Sequence, residues 1–202
     1  MSLSKFICLL RNKALYFNRV DNFNDNKECT LTAIDKKIFY YSENTKEYWE
    51  RERKRYFISC WIESDYELAL MWETYGKGGV AIKTSVGNLI DSLTVDTDHT
   101  QYLARVNYID DQLESTQEAG KRMNVLQIPL SKRKYYEQEK EIRLLFSKNE
   151  VDDQTGISFP IDINCLISEV RVYPGAPQYF LEIVKNELQS VEIDINVLFS
   201  EI

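Results

Sequence analysis

Residues Glu139–Phe146 alternate in character along the chain. Ile142, Leu144 and Phe146 fall on one side of a two-residue repeat, and Glu139, Glu141 and Arg143 fall on the other. A segment built this way has to be a strand with one apolar face, and it needs a sheet to belong to. Tyr56–Trp61 makes the same demand, with Phe57, Ser59 and Trp61 on one face and Tyr56, Ile58 and Cys60 on the other. Leu15–Phe17, Val80–Lys83, Tyr102–Tyr108 and Ile167–Tyr173 read as further strands.

Helical periodicity fills the space between them. Phe6, Leu9 and Leu10 share a face of a helix over Ser4–Asn12. A polar helix is expected over Glu43–Lys54 and further helices over Val86–Leu93 and Asp111–Met123, and Pro177 opens another that runs to Leu188. Ser64-Asp65-Tyr66-Glu67 has capping-box spacing, and Leu68, Met71, Trp72 and Tyr75 follow at helical intervals. Gly76 is the expected left-handed stop. Gly76-Lys77-Gly78-Gly79 follows a helix and opens a strand, the reverse of a phosphate loop, so it reads as a turn. Strands and helices mix without regular βαβ alternation. The expected fold class is therefore α+β, a mixed and mainly antiparallel sheet or sheets with helices packed on them. With no repeats and no linker-like stretch, residues 1–202 are expected to form a single compact domain.

Composition narrows the chemistry. The 25 Lys+Arg against 32 Asp+Glu leave a net charge of −7, which disfavours a nucleic-acid duplex as partner. The single histidine, His99, lies in a polar, turn-like stretch; metal motifs with two imidazoles are excluded, and no metal is expected. Any Ser-His-Asp or Cys-His arrangement would have to use that same residue. Cys8, Cys29, Cys60 and Cys165 form no close pair and have mostly apolar neighbours, so they read as buried free thiols. No apolar run is long enough to span a bilayer, and Met1–Lys5 lacks the build of a signal peptide. The expectation is a cytoplasmic protein with no membrane partner.

Several side chains stand out as carriers of function, each with a plainer reading beside it. Glu139 and Glu141 read either as a solvated face or as a carboxylate pair for general-base or cation-stabilising work. Lys132-Arg133-Lys134 lies just upstream, with Tyr135 and Tyr136, and reads either as a solvated helix face or as positive charge for a small anionic ligand. Ser59, flanked by Phe57 and Trp61, reads as a strand surface or a ligand platform. Trp72 and Tyr75 are read first as core and second as stacking groups. Arg19 either grips a phosphate or pairs with Asp21 or Asp25. Asp21, Asp25 and Glu28 are the carboxylates that a Mg²⁺-dependent nuclease or phosphatase would draw on.

These residues fall into a recognisable order. Leu15-Tyr16-Phe17, Phe23-Asn24-Asp25 and Glu28 resemble the opening motif of a bacterial family known as domain of unknown function 2971. Phe57-Ile58-Ser59-Cys60-Trp61, Met71-Trp72, Tyr75 and Gly79-Val80-Ala81-Ile82 resemble its second motif. Lys134-Tyr135-Tyr136 with Glu139, Glu141, Arg143 and Leu144 resembles its third, and Ile167–Tyr173 with Pro174 fits its close. Asn26 stands where the family usually has proline. The family name implies no activity. The layout also resembles the Arg–Ser–Glu order of ADP-ribosyltransferases, which would use NAD as substrate. That resemblance puts Arg19 on the NAD phosphates, Ser59 at the nicotinamide-ribose site, Glu141 on a ribose hydroxyl and Glu139 as base. Trp61 or Tyr75 would stack on nicotinamide, Lys132 would add charge, and the macromolecular target is unknown. The competing expectation is a non-catalytic sensor or protein-interaction module linked to stress or phage defence.

Overall fold

The computed structural model describes residues 1–23, 25, 27–38, 43–93, 100–117, 124–151 and 153–202. Its strands are β1 (Ala14–Arg19), β2 (Tyr56–Ile62), β3 (Val80–Lys83), β4 (Thr100–Arg105) and β5 (Asn107–Ile109). After them come β6 (Ser131–Arg133), β7 (Glu141–Ser147), β8 (Gly156–Pro160), β9 (Glu169–Val172) and β10 (Val197–Phe199). Among the described residues these form sheets ordered β4-β7-β2-β1-β8, β10-β9-β3 and β5-β6. Strand pairing is mainly antiparallel, with β10–β9 and β5–β6 parallel. The fold is α+β, as the irregular mixture of periods predicts.

The chain divides into two compact units. One comprises Met1–Tyr16, Ser64–Val95 and Ser158–Ile202. Its helix Leu3–Asn12 buries Phe6, Leu9 and Leu10, the three residues that share a face in the sequence, and Ser2 caps its Lys5 N–H. The 13-residue helix Gln178–Ser190 buries Leu181, Val184 and Leu188 and packs on β9 and β10, with Pro177 at its N-cap. Val80, Val170 and Val172 complete that core. The Met1 ammonium donates to the Val80 carbonyl at 2.7 Å, and the Val80 N–H donates back to the Met1 carbonyl at 2.9 Å. Gly79 permits this approach, because a Cβ there would stand 2.0 Å from the Met1 oxygen.

Local spacing misjudges one helix in this unit. The capping box does not form. Ser64 Oγ instead donates to the Tyr66 carbonyl at 2.6 Å, and α-helix covers only Ala69–Met71 before widening into a π-turn over Trp72–Gly76. Glu67 is drawn away by stronger partners: the Trp72 indole N–H at 2.7 Å, Arg171 at 2.6 Å, the Ser200 hydroxyl at 2.6 Å and the Glu201 N–H at 2.9 Å. Gly76 is not left-handed; that role belongs to Gly78, at φ 66°. What fixes Gly76 is contact, since a Cβ there would meet the Trp72 ring at 2.4 Å. Trp72 is core, whereas Tyr75 is exposed, a second correction to the periodic reading.

The other unit comprises Phe17–Glu63 and Asp96–Ile157. In it β2 runs antiparallel to β7 over their whole lengths, from Tyr56 opposite Ser147 to Ile62 opposite Glu141. One face of this pair covers a core of Val20, Cys29, Leu31, Trp49, Tyr56, Ile58, Ile128 and Leu145. On the other face Phe17 meets Phe146 edge-on, 4.6 Å between centroids. Asp35, fully buried, exchanges backbone and side-chain hydrogen bonds with Thr32 and also accepts from Thr116. The expected strand Tyr102–Tyr108 is interrupted at Val106, where β4 ends before β5. Asp111–Gln117 makes turns rather than helix, tied by Asp110 to the Gln112 N–H; the rest of that expected helix lies outside the described residues. His99 also lies outside them. Of the four cysteines, all free, Cys29 is fully buried, Cys8 is exposed and Cys165 is intermediate, so the buried-thiol expectation fails for Cys8 and Cys165; Cys60 has exposed surface, but burial pushes its thiol well above its ordinary value.

Candidate functional site

The acidic face of Glu139–Phe146 is neither solvated nor entirely strand. Lys134–Glu139 forms a 3-10 helix, and Lys140 turns left-handed at φ 43° before β7 starts at Glu141. That turn, rather than the pleat, brings Glu139 and Glu141 onto one cation. The Lys132 ammonium donates to Glu139 Oε2 at 2.6 Å and to Glu141 Oε2 at 3.1 Å. Lys132 reaches them from β6, which lies beside β5 with Tyr108 opposite Lys132. The Tyr108 hydroxyl in turn accepts the Glu141 N–H at 2.8 Å.

Arg143 completes the cluster from the same face of β7. Its guanidinium donates to both oxygens of Glu141, to the Pro129 carbonyl at 2.7 Å, to Glu28 and to the Cys29 thiol. Glu28 also lies 3.8 Å from Lys132. The side chain of Arg143 has no exposed surface, and Glu139, the most open of the five charged groups, has 11%. Three carboxylates and two cations thus share a pocket closed to bulk water, where each charge depends on the others. Tyr136 forms one wall. Its ring lies 4.8 Å from the Lys132 ammonium, and its hydroxyl donates to Asp25 at 3.4 Å.

Burial and pairing pull these groups in opposite directions. Burial pushes the Glu28 carboxyl above its ordinary value, even with Arg143 and Lys132 beside it. It works the same way on Glu141, but there Arg143 and then Lys132 prevail and hold the carboxyl below the usual range. Burial disfavours the Lys132 ammonium, and Glu141, Glu139 and Glu28 together more than reverse that. The Cys29 thiol is pushed up to about 11 by burial, Arg143 notwithstanding. Cys60 is directly across from Arg143 in the β2–β7 ladder.

The structure brings together Lys132, Glu139 and Glu141 and separates them from Ser59 and Trp61. In the β2–β7 ladder Ser59 is opposite Leu144, and Trp61 is opposite Ile142. Residues opposite one another share a face and successive residues alternate, so Ser59 and Trp61 point away from Glu141 and Arg143. Arg19, opposite Phe57, is on the Ser59 side. Its guanidinium is bound twice to Asp21, at 2.6 and 3.2 Å, and once to the Gln154 carbonyl at 2.8 Å. Tyr75 belongs to the other unit. Glu28, read in the sequence as a motif position and a carboxylate for Mg²⁺ chemistry, and Cys29, read as a buried thiol, join the cluster through Arg143, a meeting that no local spacing signals. Among the described residues, no three His, Cys, Asp or Glu side chains group as a metal site, and no helix is long and apolar enough to cross a membrane.

The model of a family described as "Protein of unknown function (DUF2971)" matches residues 71–144. The resemblance carried by the motifs is borne out over that span. No significant match to a curated protein or to a solved structure was found.

Proposed function

We propose that the chain is a non-catalytic binding module and that its E-x-E-x-R segment is an internal ionic brace. One observation carries this reading: Glu28, Glu139, Glu141, Lys132 and Arg143 pair with one another in a closed cluster, each side chain at least 89% buried. A catalytic carboxylate must reach the reacting atom of its substrate. Here Glu141 has both oxygens engaged, by Arg143 and Lys132. Removing one partner from such a cluster leaves an uncompensated buried charge, which makes these residues costly to change whether or not they meet a ligand.

A second reading, an NAD-dependent ADP-ribosyltransferase-like enzyme, draws support from the convergence of Glu139 and Glu141. It lacks an Arg–Ser–Glu cleft, because Ser59 and Glu141 point to opposite faces of the sheet. Calorimetric titration with NAD, followed by an assay for nicotinamide release with and without cell lysate, separates the two. The binding-module reading expects no nicotinamide release, and it expects Glu141→Gln to lower the unfolding temperature. Release that disappears in Glu141→Gln while the unfolding temperature holds would establish the enzyme instead.

A further inference from the structure

The basic run Lys132-Arg133-Lys134 divides its labour. Lys132 turns into the ionic cluster, and Arg133 is buried against Asp111 at 2.7 Å. Lys134 begins the 3-10 helix and is exposed, followed by Tyr135, 69% exposed. Beside them is a groove of ≈ 240 Å³ lined by Lys27, Asp110, Asp111, Arg133, Lys134 and Tyr135, among others.

Its charges do not cancel. Lys27, Arg133 and Lys134 face Asp110 and Asp111, an excess of one positive charge; Asp111 pairs with Arg133, and Asp110 keeps its charge while accepting the Gln112 N–H at 2.9 Å. The ammonium groups of Lys27 and Lys134 pair with no carboxylate among the described residues. Arg133 Nε–H and Asp111 Oδ1, on the two sides of that ion pair, are both buried with no hydrogen-bond partner among the described residues, so the pair leaves one donor and one acceptor to a ligand. A groove edged by two ammonium groups that meet no carboxylate among the described residues stands out on a chain with a net charge of −7.

Tyr135 adds shape to charge. Its ring is braced by Tyr136, 4.6 Å between centroids at 53°, and Tyr136 is itself held by Lys132 and Asp25. A flat, exposed, supported ring beside unpaired cations suits a ligand with one planar ring and one phosphate. The volume limits the size. It falls below the roughly 300–1,000 Å³ of pockets that bury drug-sized ligands, so the groove would hold part of a small ligand and leave the rest in solvent.

We infer that this groove binds a small ring-bearing phosphate ester of the nucleoside monophosphate class, with Lys27 and Lys134 on the phosphate and Tyr135 under the ring. The inference rests on the binding-module reading and names its ligand class. The test is calorimetric titration of the full chain with adenosine monophosphate, with adenosine and inorganic phosphate as separate probes. Binding is expected for the monophosphate, weaker binding for inorganic phosphate and none for adenosine. Lys134→Glu should weaken the monophosphate about tenfold or more, and Tyr135→Ala about threefold to tenfold, with both unfolding temperatures unchanged because both side chains are exposed. Added salt should weaken binding in the wild type. No binding at millimolar monophosphate, equal binding of adenosine, or unchanged affinity in Lys134→Glu would each overturn the assignment. Inorganic phosphate binding as tightly as the monophosphate would remove the ring from it. These outcomes are distinct from nicotinamide release, which alone decides against the binding-module reading.

Discussion

Two ionic networks, one in each unit, use the same residue types to different ends. In the unit containing β7, Arg143 is wholly buried and joins Lys132 in holding Glu28, Glu139 and Glu141. In the unit containing β9, Arg171 is 16% exposed and holds Glu67, Glu169 and Glu201, the last 77% exposed. The first network leaves its members little or no contact with water. The second opens at one edge, so solvent supports whatever its partners do not. Charge count is similar in the two, and burial decides what each charge is worth.

Replacing Arg143 is the severest way to challenge this contrast. Arg143→Met should cost about 3–5 kcal/mol, because Glu28 and Glu141 would stay buried without their guanidinium. Urea denaturation measures it, and a loss under 1 kcal/mol would mean that water reaches the cluster. Arg171→Met should cost less, about 1–2 kcal/mol, since Glu201 returns to solvent at little expense. If the two losses came out equal, burial would not be what separates the networks.

Acid sharpens the comparison further. At Glu67, burial works to raise the carboxyl, but hydrogen bonds from Ser200, the Glu201 backbone, Arg171 and Trp72 prevail and hold it below its ordinary value. A depressed carboxyl contributes stability that is present above its unfolded pKa and disappears as pH falls through the folded one. Glu28, with its raised carboxyl, has the opposite sign: its contribution declines as pH rises from the ordinary value through the folded one. The Trp72 indole N–H resonance, which reports the bond to Glu67, should therefore shift only below the usual carboxylate range. Glu67→Gln should abolish that acid-side shift. At the small end, Arg105→Ala should leave the unfolding midpoint unchanged. Its two bonds to Glu63, both 2.6 Å, join side chains that are 75% and 43% exposed.

What the sequence conveyed of all this depended on range. The apolar face of Ile142, Leu144 and Phe146 was legible because a pleat is a local repeat. So was the buried stripe of Phe6, Leu9 and Leu10 on its helix. Glu139 was assigned to the strand because its spacing from Glu141 imitates a pleat, although a helical turn and a left-handed residue produce the pairing. Ser64 and Glu67 imitated a capping box, but partners at positions 171, 200 and 201 outbid it, and no local window contains them. The separation of Ser59 from Glu141 was likewise hidden. Each residue's face on its own strand could be read, whereas their relation depends on the β2–β7 register, which joins distant segments.

Lys140 has a consequence for how this motif would drift. Written as E-x-E, its middle letter looks free, and an exposed lysine there invites the same view. The left-handed turn at φ 43° says that the letter is constrained by backbone shape. In a saturation library at position 140, glycine and asparagine should rise in frequency, while valine, isoleucine and proline are depleted. The two glutamates would then be inherited together only in lineages whose intervening residue tolerates the turn.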